Sequence, residues 1–93
     1  MGFREVKSKV VADLLAGNYQ HEARNAIDEK NLLATGEVSR EEVAELLRSA
    51  RGHEYESSPH HQAPSVTVHV VKTRTWYIKF YFYPHTLFIS VHQ

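Results

Sequence analysis

The sequence predicts an α+β domain in which about three N-terminal helices pack on one face of a three-stranded antiparallel sheet. Three observations predict it. Apolar residues recur at helical spacing over residues 1–51, and they alternate with polar residues at a period of two over residues 65–93. Between them lies a polar, proline-containing stretch, GHEYESSPHHQAP at 52–64, which reads as a loop. A chain of 93 residues, 42% hydrophobic and 24% charged, has enough apolar surface for one core and little to spare, so 1–93 is read as a single domain.

The first helix follows from Val6, Val10 and Leu14, with Val11 and Leu15 beside them, and Gly17 sits where it should stop. Tyr19, Ala23, Ala26, Ile27 and Leu33 predict a second helix between Asn18 and Gly36. The third has the clearest start. Ser39-Arg-Glu-Glu42 is a capping box, in which Ser39 and Glu42 each satisfy a backbone N–H of the other, and Val43, Leu46 and Leu47 form the stripe behind it. Arg48–Arg51 makes a basic last turn ahead of Gly52.

After Pro64 the segments SVTVHVV, TWYIKFYFY and TLFISVH read as three strands of a meander. Their predicted core side is Val66, Val68, Val70, Trp76, Ile78, Phe80, Phe82, Leu87, Ile89 and Val91. A two-residue turn at Pro84-His85 would pair Tyr83 with Thr86, Tyr81 with Phe88, Lys79 with Ser90 and Tyr77 with His92. An odd-length loop around Lys72-Thr73-Arg74 would pair His69 with Tyr77 and Thr67 with Lys79. The non-core face would then carry a row His69–Tyr77–His92 beside a row Thr67–Lys79–Ser90.

Composition narrows the function. The chain has no cysteine, so it has no disulfide framework and no thiolate metal site. No apolar run reaches the length of a membrane span, and MGFREVKSKVVADLL is too charged for a signal peptide, so a cytoplasmic protein without a membrane partner is expected. Gly2 does not make a myristoylation site, because position 6 is Val rather than Ser or Thr. The formal net charge is zero, but the distribution is uneven. All eleven acidic residues lie at or before Glu56, and residues 57–93 carry Lys72, Arg74, Lys79 and five of the seven histidines. Such asymmetry points to an anionic ligand for the C-terminal third.

The alternation in WYIKFYFY puts Trp76, Ile78, Phe80 and Phe82 on one face and Tyr77, Lys79, Tyr81 and Tyr83 on the other. Two imidazoles flanking a phenol beside an ammonium suit cleavage of RNA by its own 2′-hydroxyl. That reaction needs a base, an acid and a donor or cation for the phosphorane, and histidine can move both protons near neutral pH. His69, Tyr77, His92 and Lys79 are the candidate catalytic set. Arg74, Lys72, Tyr81, Tyr83, His60 and His61 are candidates for binding phosphate and stacking bases. No metal or other cofactor is required. Two other readings fit the same residues: a Tyr/Lys face is commonly the solvated side of an antiparallel sheet, and His60, His61 and His69 are the ligand type for zinc, at a spacing that matches no established signature.

The order of elements and the stretches VKSKVVADLLAGNYQHEARNAI, EVSREEVAELL and WYIKFYFYPHTLFISVH resemble the RelE/ParE-like superfamily of bacterial toxins, and within it the MqsR-type mRNA interferases. The terminal stretch carries the specific part of the likeness. His21-Glu-Ala-Arg24 is similar to a His-x-x-Arg segment of related toxin-like families. The resemblance implies a two-layer fold, an open sheet face that cuts mRNA, on the ribosome or free of it, and a cognate antitoxin protein as partner. It places the tyrosine of the penultimate strand at Tyr77 and the C-terminal basic residue at His92. The basic residue and glutamine that such families carry before the sheet have no clean match; His60, His61 and Gln62 lie nearby. The alternative is a non-catalytic module that binds protein or single-stranded RNA on the same face.

Overall fold

The computed structural model describes residues 2–23 and 27–93. It corrects the predicted layers. Two helices of more than one turn, α1 (Phe3–Ala16) and α3 (Arg40–Ser49), cover one face of a five-stranded mixed sheet, and α2 (Ile27–Lys30) is a single turn. The strands are β1 (Tyr19–His21), β2 (Tyr55–Pro59), β3 (Thr67–Thr73), β4 (Trp76–Phe82) and β5 (Thr86–His92). Their order is β1-β5-β4-β3-β2, with β1 parallel to β5 and every other pair antiparallel.

The α1 helix buries Val6, Val10 and Leu14, one residue per turn on one side. It ends as predicted at Gly17, whose φ of 78° is the left-handed region open to glycine. The Gly17 N–H bonds to the Leu14 carbonyl and the Asn18 N–H to that of Asp13, which closes the helix in a Schellman motif. The Ser39–Glu42 capping box that starts α3 is present, and Val43, Ala44, Leu46 and Leu47 are buried behind it. The end of α3 is held from α1: Lys7 Nζ donates to the carbonyls of Arg48 at 3.1 Å and Ala50 at 2.6 Å, placing a cation at the negative end of the helix dipole.

The predicted second helix does not run from Asn18 to Gly36. Tyr19–His21 forms β1 instead, because β5 offers it backbone partners and its side chains a core. The Glu22 N–H donates to Phe88 O, and the Tyr19 ring meets Phe88 edge-on at 5.8 Å. Ala26, assigned to that helix from the sequence, and Arg24 of the His-x-x-Arg segment lie outside the described residues. The expected loop at 52–64 is also only partly a loop. After a 3₁₀ turn at Gly52–Glu54, residues Tyr55–Pro59 pair with β3 as an edge strand, a place where Pro59 is tolerated.

The sheet register departs from expectation at two places. The β3–β4 connection has two residues rather than an odd number: Thr73 pairs with Trp76, and Arg74 and Thr75 both have positive φ, 49° and 70°. This is the backbone of a type I′ turn, whose twist matches that of the flanking strands. The changed parity turns β3 over. Val68 and Val70 move to the open face, while His69, Val71 and Thr73 move to the helix side. Between β4 and β5 the pairs Tyr77–His92, Ile78–Val91 and Lys79–Ser90 are as predicted. A bulge between Lys79 and Phe80 then shifts the register by one residue, so that Phe80 meets Phe88 and Tyr81 meets Leu87.

The core between helices and sheet contains Val6, Val10, Leu14, Val43 and Leu47 against Val71, Ile78, Phe80, Phe88 and Val91. Of the predicted sheet core, Ile78, Phe80 and Val91 belong to it, and Trp76 and Phe82 pack on its margin. Val68, Val70 and Ile89 are buried outside this cluster, and Val66 and Leu87 are half-buried. Among the described residues no helix is long and apolar enough to cross a membrane.

Candidate functional site

The open face of the sheet is built around β4, where Tyr77, Lys79 and Tyr81 stand at alternate positions between their neighbours on β3 and β5. At one end, Tyr77 stacks on His92 with ring centroids 5.2 Å apart and planes 20° from parallel. Lys72 lies on the other side of Tyr77, its Nζ 5.9 Å from the ring centroid, and is paired with Glu56 of β2 at 3.4 Å. The end of β5 is tied down. Gln93 O accepts from His92 Nδ1 at 3.2 Å, and Gln93 Nε2 donates to Thr75 Oγ1 at 3.1 Å. With Nδ1 donating, the neutral His92 ring carries its free lone pair on Nε2.

At the other end, Tyr81 is flanked by β1 and by the β2–β3 connection. Its hydroxyl donates to Glu22 Oε2 at 3.0 Å, and its ring and that of His60 are T-shaped with centroids 5.0 Å apart. Partial burial and the adjacent Glu22 carboxylate push the Tyr81 phenol above its ordinary pKa. The connection is itself ordered by short bonds: His60 N–H donates to Val66 O, and His60 Nδ1 accepts the N–H groups of Gln62 and Ala63 at 3.0 and 3.2 Å. The neutral His60 ring therefore carries its proton on Nε2. A cleft of about 250 Å³ opens here, with Val68 and Ile89 as apolar walls and Lys79, Glu22, His60, His61 and Gln62 as polar ones.

Lys79 thus stands between two unlike ends, His92–Tyr77 and His60–Tyr81–Glu22. Seven of the ten predicted site residues share this face: Tyr77, His92, Lys79, Lys72, Tyr81, His60 and His61. The other three do not. His69, expected beside Tyr77, pairs with Phe80 and is 3% exposed on the helix side. There its Nδ1 is 2.8 Å from the Tyr55 hydroxyl, its ring lies among Tyr55, Phe80 and Phe82, and burial lowers its pKa. Arg74 sits in the type I′ turn and lines a groove with Glu42 and Glu45 of α3. Tyr83, 74% exposed, lies in the β4–β5 connection beside Pro84 and His85.

The fold brings in two residues that sequence reasoning left with the acidic N-terminal part, Glu22 and Glu56. Neither has a local signal, because each reaches the face through the pairing of an edge strand. Residue His21, next to Glu22, points the other way: its Nδ1 accepts from Asn31 Nδ2 at 2.9 Å, it packs on Phe88, and burial lowers its pKa. The proposed zinc trio is also split, since His69 is on the opposite side from His60 and His61. Among the described residues no group of three His, Cys, Asp or Glu side chains is placed to hold a metal ion. No protein family, curated protein or solved structure matches this chain.

Proposed function

We propose that this protein is a metal-independent endoribonuclease of the mRNA-interferase type, the toxin of a toxin–antitoxin pair, acting from the open sheet face. The observation that carries the reading is the alignment of Tyr77, Lys79 and Tyr81 on one strand, with an imidazole against each tyrosine. Aromatic faces accept splayed bases, and the ammonium between them accepts the phosphate that joins those bases. With His69 on the other side of the sheet, a pair of histidines around Tyr77 is ruled out, and the roles are reassigned. His92 Nε2 takes the proton of the 2′-hydroxyl, and that oxygen forms a bond to phosphorus. Lys79 stabilises the added negative charge. The bond from phosphorus to the 5′-oxygen breaks as that oxygen takes a proton from the Tyr77 hydroxyl. The products are a 2′,3′-cyclic phosphate and a 5′-hydroxyl. Resting Tyr77 is regenerated by proton return from His92.

Lys72, His60 and His61 contribute cationic or donor contacts to the backbone on either side. The cognate antitoxin would neutralise the protein by covering this face. The second reading is a module that binds RNA or protein without cutting. It is favoured by the same displacement of His69, which leaves a single imidazole at Tyr77. Incubation of the purified protein with short RNAs in EDTA, followed by mass spectrometry, separates the two. Fragments ending in cyclic phosphate and 5′-hydroxyl, lost in His92→Ala, support the ribonuclease. Binding without cleavage supports the module, and cleavage abolished by chelation rejects the mechanism.

A further inference from the structure

The two ends of the open face differ in charge, and the difference bears on substrate choice. A carboxylate beside a phosphate-binding lysine repels RNA unless it faces something other than phosphate. Glu22 is such a group. Its Oε2 accepts the Tyr81 hydroxyl, which fixes the direction of the carboxylate, while Oε1 takes no hydrogen bond among the described residues. It borders the cleft already described, whose other lining residues are Val68, Ile89, Lys79, His60, His61 and Gln62. A mostly polar cleft with two aliphatic walls, two imidazoles and a carboxylate whose direction is fixed by a hydrogen bond suits a flat ring that presents donors on its edge.

Resting on the reading of this face as RNA-binding, we infer that the cleft is a nucleobase subsite selective for guanine, with Glu22 as the residue that determines the selectivity. Guanine alone among the four bases offers two adjacent donors, N1–H and the N2 amine, on its Watson–Crick edge. A carboxylate can accept both, since its two oxygens have about four lone-pair sites and the Tyr81 hydroxyl occupies one. Adenine and cytosine set a ring-nitrogen acceptor against Glu22 beside a single amine, and uracil offers one N–H between two carbonyls. The apposed acceptors repel in each case. The spacing is consistent with a base next to the cut. Tyr81 is two residues along the strand from Lys79 and four from Tyr77, about 7 and 13 Å. A base at Tyr81 therefore belongs to a nucleotide adjoining the phosphate held by Lys79, and the base on Tyr77 is its neighbour. The Tyr81 hydroxyl acts as a positioning group, because it holds the carboxylate that reads the base.

The test uses fluorescence anisotropy with the full chain and nine-residue 2′-O-methyl oligonucleotides, which lack the nucleophile and so report binding alone. One guanine, inosine, adenine or cytosine is placed at the centre of an oligouridine. Wild type is expected to prefer guanine over adenine by roughly 5- to 150-fold, the range of one good bidentate pair, with inosine between them because it lacks the N2 amine. Glu22→Gln should bring that ratio close to one, and it should tighten binding to plain oligouridine, because a negative charge has been removed. A merely structural role for Glu22 would not move the two affinities in opposite directions. Tyr81→Phe should lower the ratio part of the way with an unchanged melting temperature. Equal affinity for guanine and adenine in wild type overturns the subsite, even if RNA is cleaved. Guanine selectivity without cleavage of ordinary RNA upholds the subsite and rejects the ribonuclease. Failure to bind any oligonucleotide rejects both.

Discussion

His69 and His92 lie on the two strands that flank β4 and have the same side chain, yet they belong to different kinds of surface. His69 is on the helix side, hydrogen-bonded to Tyr55 and enclosed by Phe80 and Phe82. His92 is half-buried on the open side, stacked on Tyr77, with Nδ1 engaged and Nε2 available. The same holds for the strand between them: Ile78 and Phe80 are fully buried, whereas Tyr77, Lys79 and Tyr81 are only half-buried. The helix-covered face carries the stability, and the open face carries the chemistry proposed for it. Alternation along a strand lets the two be altered separately.

The largest expected effect breaks the covered face. Phe80→Ala removes a fully buried ring from the middle of the core and should cost about 3–5 kcal/mol, a large share of what holds a domain of this size. Chemical denaturation would measure it. Tyr77→Phe, three residues away, should change stability by no more than about 0.5 kcal/mol. A comparable loss in both would show that the two faces are not independent.

The next effect breaks the open face. His92→Ala should lower the cleavage rate by roughly 10²- to 10⁴-fold, the usual contribution of a positioned proton-transfer group, without a matching change in melting temperature. His69→Leu should leave the rate per folded molecule nearly intact. A reversed outcome, with activity following His69, would contradict the register that separates them.

Acid sharpens the comparison further. Burial lowers the pKa of His69 from 6.5 and does the same for His21. The folded protein therefore binds fewer protons at these sites than the unfolded chain does. Their contribution to stability is full above the unfolded value, and it is lost as pH falls from about 6.5 toward the folded values. Denaturation midpoints should accordingly drop between pH 7 and 5, and His69→Leu should flatten that drop in part, leaving the share of His21. An unchanged slope in the variant would show that His69 is solvated rather than enclosed.

The smallest effect concerns the turn that decides which way His69 points. Arg74 and Thr75 occupy left-handed backbone conformations that suit Asn and Gly better. The double change Arg74→Asn, Thr75→Gly should raise stability by about 1 kcal/mol, read from thermal melts. Destabilisation would argue against a two-residue turn and hence against the assigned faces of β3.

Much of this architecture is written locally. The period-two pattern of WYIKFYFY settles that Tyr77, Lys79 and Tyr81 share one face, because side-chain alternation is a property of the strand backbone itself. The α1 stop at Gly17 and the Ser39–Glu42 box are equally local, since each satisfies backbone groups within a few residues. Edge strands left weaker traces. Tyr19–His21 is too short to show a period, and Tyr55–Pro59 is polar on both sides; each is a strand because a longer neighbour supplies its hydrogen bonds.

Tertiary structure alone decided which residues meet across strands. Turn length and one bulged residue set the parity of pairing, and a shift of one residue moves a whole strand to the other face. That parity put His69 in the core, left His92 as the imidazole at Tyr77, and exchanged Val68 and Val70 for Val71. Glu22 reached Tyr81 across 59 positions of sequence, a distance over which no local pattern reports. The composition of residues 57–93 called for a surface free of acid, but the strands that edge this sheet come from the acidic part of the chain. Their pairing set Glu22 and Glu56 among its cations.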